Sequence, residues 1–335
     1  MAESVHSEEN SADRIEIRDY SLPDQRPDIR FSLYNHLEFH AHSSILKAES
    51  RFFRTFLDSA DKIPAEPGAE FAYEWVSEYD EDGLWHVVAK SNSNPDQNRL
   101  AGIDTLNDDD AEVFWRMLNS IYRIPFVVGP GLVIELTKFA DYYRCLPAVS
   151  HNLNACFWMS PTFDLHGLDN SYSLIESAYQ LRQPVLFQDC ATYIAGRMPS
   201  SRRDFNGIEI QNTKIQEIVM KLRNEIFEKA SLAQQTLYRV AYGYQYENFS
   251  NTRLFDLLSE VLIEISSYGL VEQPYYYRKL SEKNEQFALI FQEVLSGVLR
   301  LDTSAKAGDL LYSNHFLCKR LSIEELPWDI DESFW

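Results

Sequence analysis

Short alternating runs of apolar and polar residues mark the first half of the chain, and helical repeats mark the second half. The runs IRFSLYN and LEFHAH meet at the turn-prone pair Asn35-His36 and predict a β-hairpin. A second hairpin is predicted over EFAYEWVSEYDEDGLWHVVAK, because aromatic and β-branched runs flank a turn signal that ends at Gly83. The stretch RIEIRDY predicts a short strand within an otherwise polar N-terminal segment.

Helical spacing begins after Ser43 and Ser44, either of which can cap a helix start. Two clusters of apolar residues follow, separated by charged positions, and predict two short helices: Ile45 and Leu46, then Phe52, Phe53, Phe56 and Leu57. Further helices are predicted over about 107–122, 132–143, 172–198 (broken at a proline), 215–226, 254–265 and 287–298. The strands give way to helices beyond Pro161, so the pattern predicts an α+β domain followed by an all-α domain.

The same pattern predicts four segments. Residues 1–27 form a flexible arm, 28–160 an α+β domain that includes the second hairpin at about 69–90, 161–322 a helical domain, and 323–335 an acidic and aromatic tail. Within the tail, Trp328, Phe334 and Trp335 are candidate docking residues, because side chains so apolar are rarely left in solvent. Packing on the chain's own helical domain and entry into a partner's groove are the two alternatives.

The composition narrows the function classes. The chain has 335 residues and a net charge of −20, so we expect no binding to nucleic acid or to anionic membranes. No apolar stretch approaches the ~20 residues of a membrane helix, and the first residues do not resemble a signal peptide. Four scattered cysteines predict reduced thiols and an intracellular location, with cytoplasm and nucleus left open.

The histidines at positions 36, 40 and 42 raise the question of a metal site. On a strand, His36 and His40 would share a face with Glu38, while Leu37 and Phe39 take the core face. We therefore expect His36 and His40 to face solvent and His42 to hold the strand-to-helix corner, with no metal and no cofactor. No P-loop, GxSxG or HExxH motif occurs, and catalysis stays a distant alternative.

The stretch DIRFSLYNHLEFHAHSSILKAESRFFRTFL resembles the opening of a BTB/POZ domain. Eight residues match the family pattern at the family spacings: Asp28, Phe39, Ala41, His42, Ile45, Leu46, Ser50 and Phe53. The resemblance covers roughly Asp28 to Met159 and implies that the hairpin at about 69–90 is an insertion. This hairpin and the all-helical remainder are similar to uncharacterised BTB proteins of filamentous fungi, in which the second half is a helical, BACK-like region.

The resemblance implies a non-catalytic scaffold or assembly module that binds other proteins, usually as a homodimer formed through the first helix and an N-terminal strand. The alternative is a substrate adaptor of a cullin-RING ubiquitin ligase. Adaptors of that class carry a hydrophobic-x-Glu motif, and the equivalent positions here are Ala60, Asp61 and Lys62. The apolar side chain and the glutamate are both missing, so we predict weak or absent cullin binding.

A corepressor pocket of the kind found in BTB transcription repressors is also not expected. That pocket pairs the aspartate before the hairpin with a basic residue just after the family histidine. Asp28 is present, but Ser43 occupies the basic position.

Overall fold

A computed structural model describes eleven stretches of the chain: 15–20, 22–34, 36–59, 68–80, 83–93, 108–161, 163–165, 171–198, 210–241, 251–267 and 272–332. The chain divides into two compact units. The first contains residues 1–126 and 138–152, and the second contains residues 127–137 and 153–335. The segment boundaries predicted from the sequence stay predictions.

The first unit contains a five-stranded mixed sheet with the order β1-β3-β2-β4-β5. Its strands are β1 (Glu16–Asp19), β2 (Ile29–Leu33), β3 (Leu37–Ala41), β4 (Tyr73–Tyr79) and β5 (Trp85–Ala89). Strands β2 and β3 form the first predicted hairpin, and β4 and β5 form the second. Strand β1 pairs in parallel with β3, so this part of the predicted arm belongs to the sheet. The second hairpin joins through the parallel pair of β2 and β4.

Eleven α-helices lie in the described part of the chain. They are α1 (Ser43–Glu49), α2 (Arg51–Leu57), α3 (Asp108–Ile121), α4 (Pro130–Tyr142), α5 (Leu146–Met159), α6 (Ser171–Gln180), α7 (Pro184–Gly196), α8 (Thr213–Ala241), α9 (Asn251–Ser267), α10 (Gln273–Lys283) and α11 (Glu285–Phe291). The predicted α+β class is therefore confirmed. No helix among the described residues is long and apolar enough to cross a membrane.

Alternation along the strands builds the core of the first unit. In β2 and β3, every second side chain is buried, and Phe31 lies opposite Phe39 on the core face. Phe114 of α3 packs edge-on against Phe31 at 5.3 Å between ring centroids, and Phe53 of α2 packs against Phe31 at 5.8 Å. Tyr143 stacks on Phe53 at 5.7 Å and is 1% exposed. Aromatic rings from the sheet and three helical segments thus form one packed layer.

Three helices end in the same way, with an arginine in the left-handed conformation just after the last turn. Arg123, Arg144 and Arg182 have φ angles of 58°, 53° and 46°. After each of them, the next backbone N–H reaches back five residues, from Ile124 to Asn119, from Cys145 to Ala140 and from Gln183 to Ala178. This is the Schellman arrangement, which satisfies carbonyl groups at a helix end. Two of the three copies are visible in the sequence as the echo between KFADYYRCLPAV and ESAYQLRQPVLF.

The second unit is mainly helical up to Phe291, and the residues that the structure describes beyond it form no α-helix. The apolar spacing after Phe287 predicts a helix to about residue 298, whereas α11 ends at Phe291. That prediction is wrong because the apolar residues that follow are buried without forming a helix. Leu299, Leu301, Phe316 and Leu317 are each 8% exposed or less. This irregular segment is fastened to α7, where the backbone N–H of Phe316 donates to the carbonyl of Gly196 at 2.9 Å.

Candidate functional site

His42 lies at the corner between β3 and α1 and is fully buried. Its Nε2 lies 3.2 Å from the carbonyl oxygen of Gln25, which can only accept, so Nε2 carries the proton. Its Nδ1 then accepts from the Tyr122 hydroxyl at 3.0 Å, and that hydroxyl oxygen accepts from the His42 backbone N–H at 2.7 Å. Burial raises the pKa of the Tyr122 phenol, so its hydroxyl stays protonated. Every polar atom of the imidazole is used in holding the corner.

The other motif residues also serve the fold. The Asp28 carboxylate accepts from the Ser43 backbone N–H at 2.6 Å and from its hydroxyl at 2.5 Å, so Ser43 engages both oxygens at the start of α1. The Ser50 hydroxyl donates to the carbonyl of Tyr143 at 2.6 Å and accepts from the Phe53 N–H at 3.1 Å, which caps α2. Ile45 is half-buried, and the other matching side chains are fully buried: Phe39, Ala41, Leu46 and Phe53.

His36 and His40 lie on the opposite face of the sheet from the core, as the alternation predicts. Both are only partly exposed, which is less than expected. The His40 side chain is 16% exposed, its ring centroid lies 4.7 Å from that of Phe71, and its Nε2 lies 3.3 Å from the Glu38 carboxylate. His36 Nδ1 lies 3.1 Å from the carbonyl of Tyr34. Within the described ranges, no group of three or more histidine, cysteine, aspartate or glutamate side chains is placed to hold a metal ion.

Replacing His42 with alanine should lower the free energy of unfolding by about 1–3 kcal/mol, because the Gln25 carbonyl and the Tyr122 hydroxyl lose buried partners. Chemical denaturation of the purified chain measures the change. His151→Ala is the matched control in the same unit, since His151 is exposed, and it should stay within about 0.5 kcal/mol of the natural chain. Stoichiometric zinc in protein purified without added metal would contradict the structural role.

Aromatic side chains that are at least partly exposed lie together on α2 and at the end of α4. We call this group the α2 aromatic patch; it consists of Phe52, Phe56 and Tyr142. The Phe52 ring links the other two, since it lies 4.6 Å from the Phe56 ring and 5.7 Å from the Tyr142 ring. Phe56 and Tyr142 are each 52% exposed. Burial and the nearby Asp80 carboxylate raise the pKa of the Tyr142 phenol, which therefore stays a neutral donor. The arrangement leaves two half-exposed aromatic side chains at the surface.

The sequence indicates only part of this patch. More apolar residues stand in α2 than one short helix can bury, and the structure buries Phe53 and Leu57 while leaving Phe56 outside. The exposure of Tyr142 is not predicted. Tyr142 and Tyr143 are neighbours in a helical repeat, and nothing in the local sequence shows which of the two rings is buried. Helical spacing predicts Tyr122 at the end of a helix, and it directly follows α3 in the structure, but its hydrogen bonds to His42 are visible only in the folded chain.

The tail residue Trp328 packs on its own unit. Its ring lies 5.1 Å from Phe187 of α7 and 6.0 Å from Tyr179 of α6, and Glu332 pairs with Arg182 at 2.6 Å. Of the two alternatives for Trp328, the structure shows packing on the chain itself. Phe334 and Trp335 lie outside the described residues, as do the candidate cullin-contact positions Ala60, Asp61 and Lys62.

Deleting residues 327–335 should lower the melting temperature, and Trp328→Ala alone should cost about 2 kcal/mol of unfolding free energy, because a half-buried ring loses its contacts. Thermal and chemical denaturation measure both effects. Trp158→Ala is the matched control, since Trp158 is 90% exposed and belongs to the same unit. Equal stability losses for the two tryptophan variants would show that the Trp328 contacts contribute nothing.

No protein-family model matches the chain, and no match was found among curated proteins or solved structures. A function for this chain therefore has to be argued from its own residues and geometry.

Proposed function

We propose that the chain is a non-catalytic protein-protein interaction module, built on a BTB/POZ-type domain followed by a helical, BACK-like domain. The proposal is supported by the eight residues that match the family pattern and by the structural use that the folded chain makes of them. It is supported further by the order of elements, in which a hairpin, two short helices and the pairing strand β4 follow one another. Four buried cysteines, none of them joined in a disulfide, fit an intracellular setting.

The observation that carries the proposal is the α2 aromatic patch. Large aromatic side chains are enriched at the centres of protein interfaces, where they supply contact area at little entropic cost. Phe56 is half exposed although its neighbours in α2 complete the core. An interface would cover this ring without disturbing the fold of the unit.

The test is affinity purification of the tagged full chain from its native cell, with mass spectrometry of the proteins that accompany it. Phe56→Ser should remove a defined set of these proteins while the chain stays folded. Leu289→Ser is the matched control, since Leu289 is 72% exposed and lies on α11. Identical protein sets for the natural chain and Phe56→Ser would refute a role of the patch.

We also propose that the chain forms a homodimer, as the resemblance implies, through α1 and the N-terminal strand. The support is β1, where Ile17 is 57% exposed and the neighbouring Ile15 is 47% exposed. Light scattering of the purified chain should give twice the monomer mass, and Ile17→Asp should shift it towards the monomer. Ile263→Asp on α9, where the side chain is 71% exposed, is the matched control. A monomer mass for the natural chain at micromolar concentration would contradict the proposal.

A further inference from the structure

Strand β1 is the last strand at one end of the sheet. The backbone N–H groups of Glu16 and Tyr20 donate towards β3, at 2.8 and 3.1 Å. Because every second residue of a strand bonds to the same neighbour, the N–H and C=O groups of Ile17 and Asp19 point away from β3. Within the described ranges, the backbone of neither residue forms a hydrogen bond. These outward groups are available to a further strand.

The side chains of this edge also favour pairing. Edge strands are usually protected from pairing by lysine, proline, bulges or short length. Here β1 is short, but Ile15 and Ile17 are about half exposed on one face, and β-branched side chains fit paired strands well. Apolar contact alone would accept many strands, so the charged side chains of the edge determine which strand is accepted.

Glu16 and Arg18 lie on the other face of β1, one on each side of Ile17. The Arg18 guanidinium is held in place, because it lies 3.9 Å from the ring centroid of Trp115 and 3.8 Å from the Glu112 carboxylate. Its Nε also donates to the Glu16 carboxylate at 2.7 Å. The Glu16 side chain is 61% exposed and Arg18 is 29% exposed, so both charges can be reached from the open edge.

We propose that β1 pairs antiparallel with β1 of a second copy of the chain, about a two-fold axis at Ile17. The inference rests on the proposed homodimer and names its contact. Ile17 would lie opposite Ile17 of the second copy, and their outward N–H and C=O groups would bond to each other. On both sides of the axis, Glu16 would lie opposite Arg18 of the second copy. The two five-stranded sheets would join into one.

The charges select this register. When Ile17 forms the hydrogen-bonded pair, Glu16 and Arg18 form the neighbouring pairs that lack hydrogen bonds, where the side chains of antiparallel strands lie closest. Opposite charges stabilise such a pair and like charges destabilise it. Shifting the second copy by two residues in either direction would place Glu16 opposite Glu16 or Arg18 opposite Arg18. The segment Ile15–Asp19 is therefore complementary to itself in one register centred on Ile17.

Light scattering of purified full chains that carry Glu16→Arg or Arg18→Glu tests the pairing. Each variant alone places like charges opposite each other, so it should dimerise about tenfold more weakly than the natural chain, or worse. An equimolar mixture should recover dimers, because every facing pair again has opposite charges. Glu228→Arg and Arg239→Glu are the matched controls, since both side chains are exposed on α8, and they should leave the mass unchanged.

Ile17→Cys gives a second measurement that leaves both charges in place. The four natural cysteines are buried. Hydrogen-bonded partners in an antiparallel pair have Cα atoms about 5.5 Å apart, which a disulfide can span. Oxidised glutathione should therefore link two copies through the introduced thiols, as seen by gel electrophoresis without reductant. Ile263→Cys is the matched control, since this side chain is 71% exposed on α9, and it should give little cross-linked dimer.

The outcomes separate this pairing from the proposed homodimer. If the natural chain is dimeric, but the mixture recovers no dimers and Ile17→Cys does not cross-link, the pairing is wrong and the proposed homodimer stands. If the natural chain is a monomer at micromolar concentration, both the pairing and the homodimer are wrong.

Discussion

Replacing Gly196 with alanine should lower the free energy of unfolding by about 3 kcal/mol or more. A Cβ at this position would lie 1.7 Å from the carbonyl oxygen of Phe316 and 2.9 Å from its carbonyl carbon. Both atoms belong to the backbone, so no side-chain rotation can relieve the clash. The backbone of Phe316 is also held in place, because its N–H donates to the carbonyl oxygen of Gly196.

Gly131→Ala is the matched control. Gly131 lies in α4 within the second unit, and no heavy atom other than its own helix backbone and chain neighbours lies within 4 Å of the position its Cβ would take. Alanine there should stabilise the protein by about 0.5–1 kcal/mol, because glycine is a poor helix former. Chemical denaturation measures the change in the free energy of unfolding for both variants, and the two changes should have opposite signs. A Gly196→Ala chain within 1 kcal/mol of the natural one would show that the contact between α7 and the C-terminal segment is loose.

The second large effect is expected at the ion pair between Asp189 and Arg320. Asp189 on α7 is fully buried and accepts from the backbone N–H groups of Arg300 and Leu301 at 2.8 Å each, as well as from the Arg320 guanidinium. Arg320 also donates to the Gln188 side chain at 3.1 and 2.8 Å. Burial raises the pKa of the Asp189 carboxyl and lowers the pKa of the Arg320 guanidinium, because each charge has left water. The hydrogen bonds offset that cost.

Arg320→Met should therefore lower the free energy of unfolding by about 3–5 kcal/mol, because it leaves the Asp189 carboxylate buried without its cation. The double variant Asp189→Asn with Arg320→Met should recover part of this loss, since the amide oxygen can still accept from the Arg300 and Leu301 N–H groups while no charge is left buried. Lys283→Met, which removes one partner of an exposed pair with Glu264, is the matched control and should change stability by less than about 1 kcal/mol.

The pH dependence gives an independent check on this pair. Removing the cation raises the pKa of the Asp189 carboxyl further above its unfolded value, so the folded variant binds a proton more readily than the unfolded chain does. The loss caused by Arg320→Met should accordingly be largest near neutral pH and shrink as the pH falls towards the unfolded carboxyl value of about 4. A loss that is constant over this range would indicate missing packing instead of an uncompensated charge.

Local patterns predict most of the secondary structure of the first unit. Both hairpins and the pair α1 and α2 follow from alternation, turn signals and helical spacing, because these depend on neighbours along the chain. The same reasoning fails after Phe291, where apolar residues at helical spacing are buried in an irregular segment. This segment packs on α7, which lies about a hundred residues earlier in the sequence. No local signal therefore shows whether its apolar residues form a helix or an irregular buried segment.

In the candidate site as well, local sequence patterns predict some features and tertiary contacts determine the others. The sequence indicates an excess of apolar residues in α2 but not which of them stays outside, since that depends on Tyr143 and the sheet filling the space beside Phe53. It places Arg51 on α2 but cannot show that the Arg144 carbonyl meets its backbone N–H. The sequence also cannot show that both carboxylate oxygens of Asp28 accept hydrogen bonds from Ser43, although both residues are visible in the motif.

The amino-acid sequence alone predicts the α+β class, the strands and most helices of the first unit (but not α5), and the role of His42 as a corner residue. These follow from short-range periodicity and from the cost of burying polar groups without partners. The folded chain is needed to show that Trp328 packs on α6 and α7, that Gly196 must lack a side chain, and that Phe56 and Tyr142 both remain exposed. Each of these depends on which distant segments meet in space, and the chain reaches that arrangement only by folding.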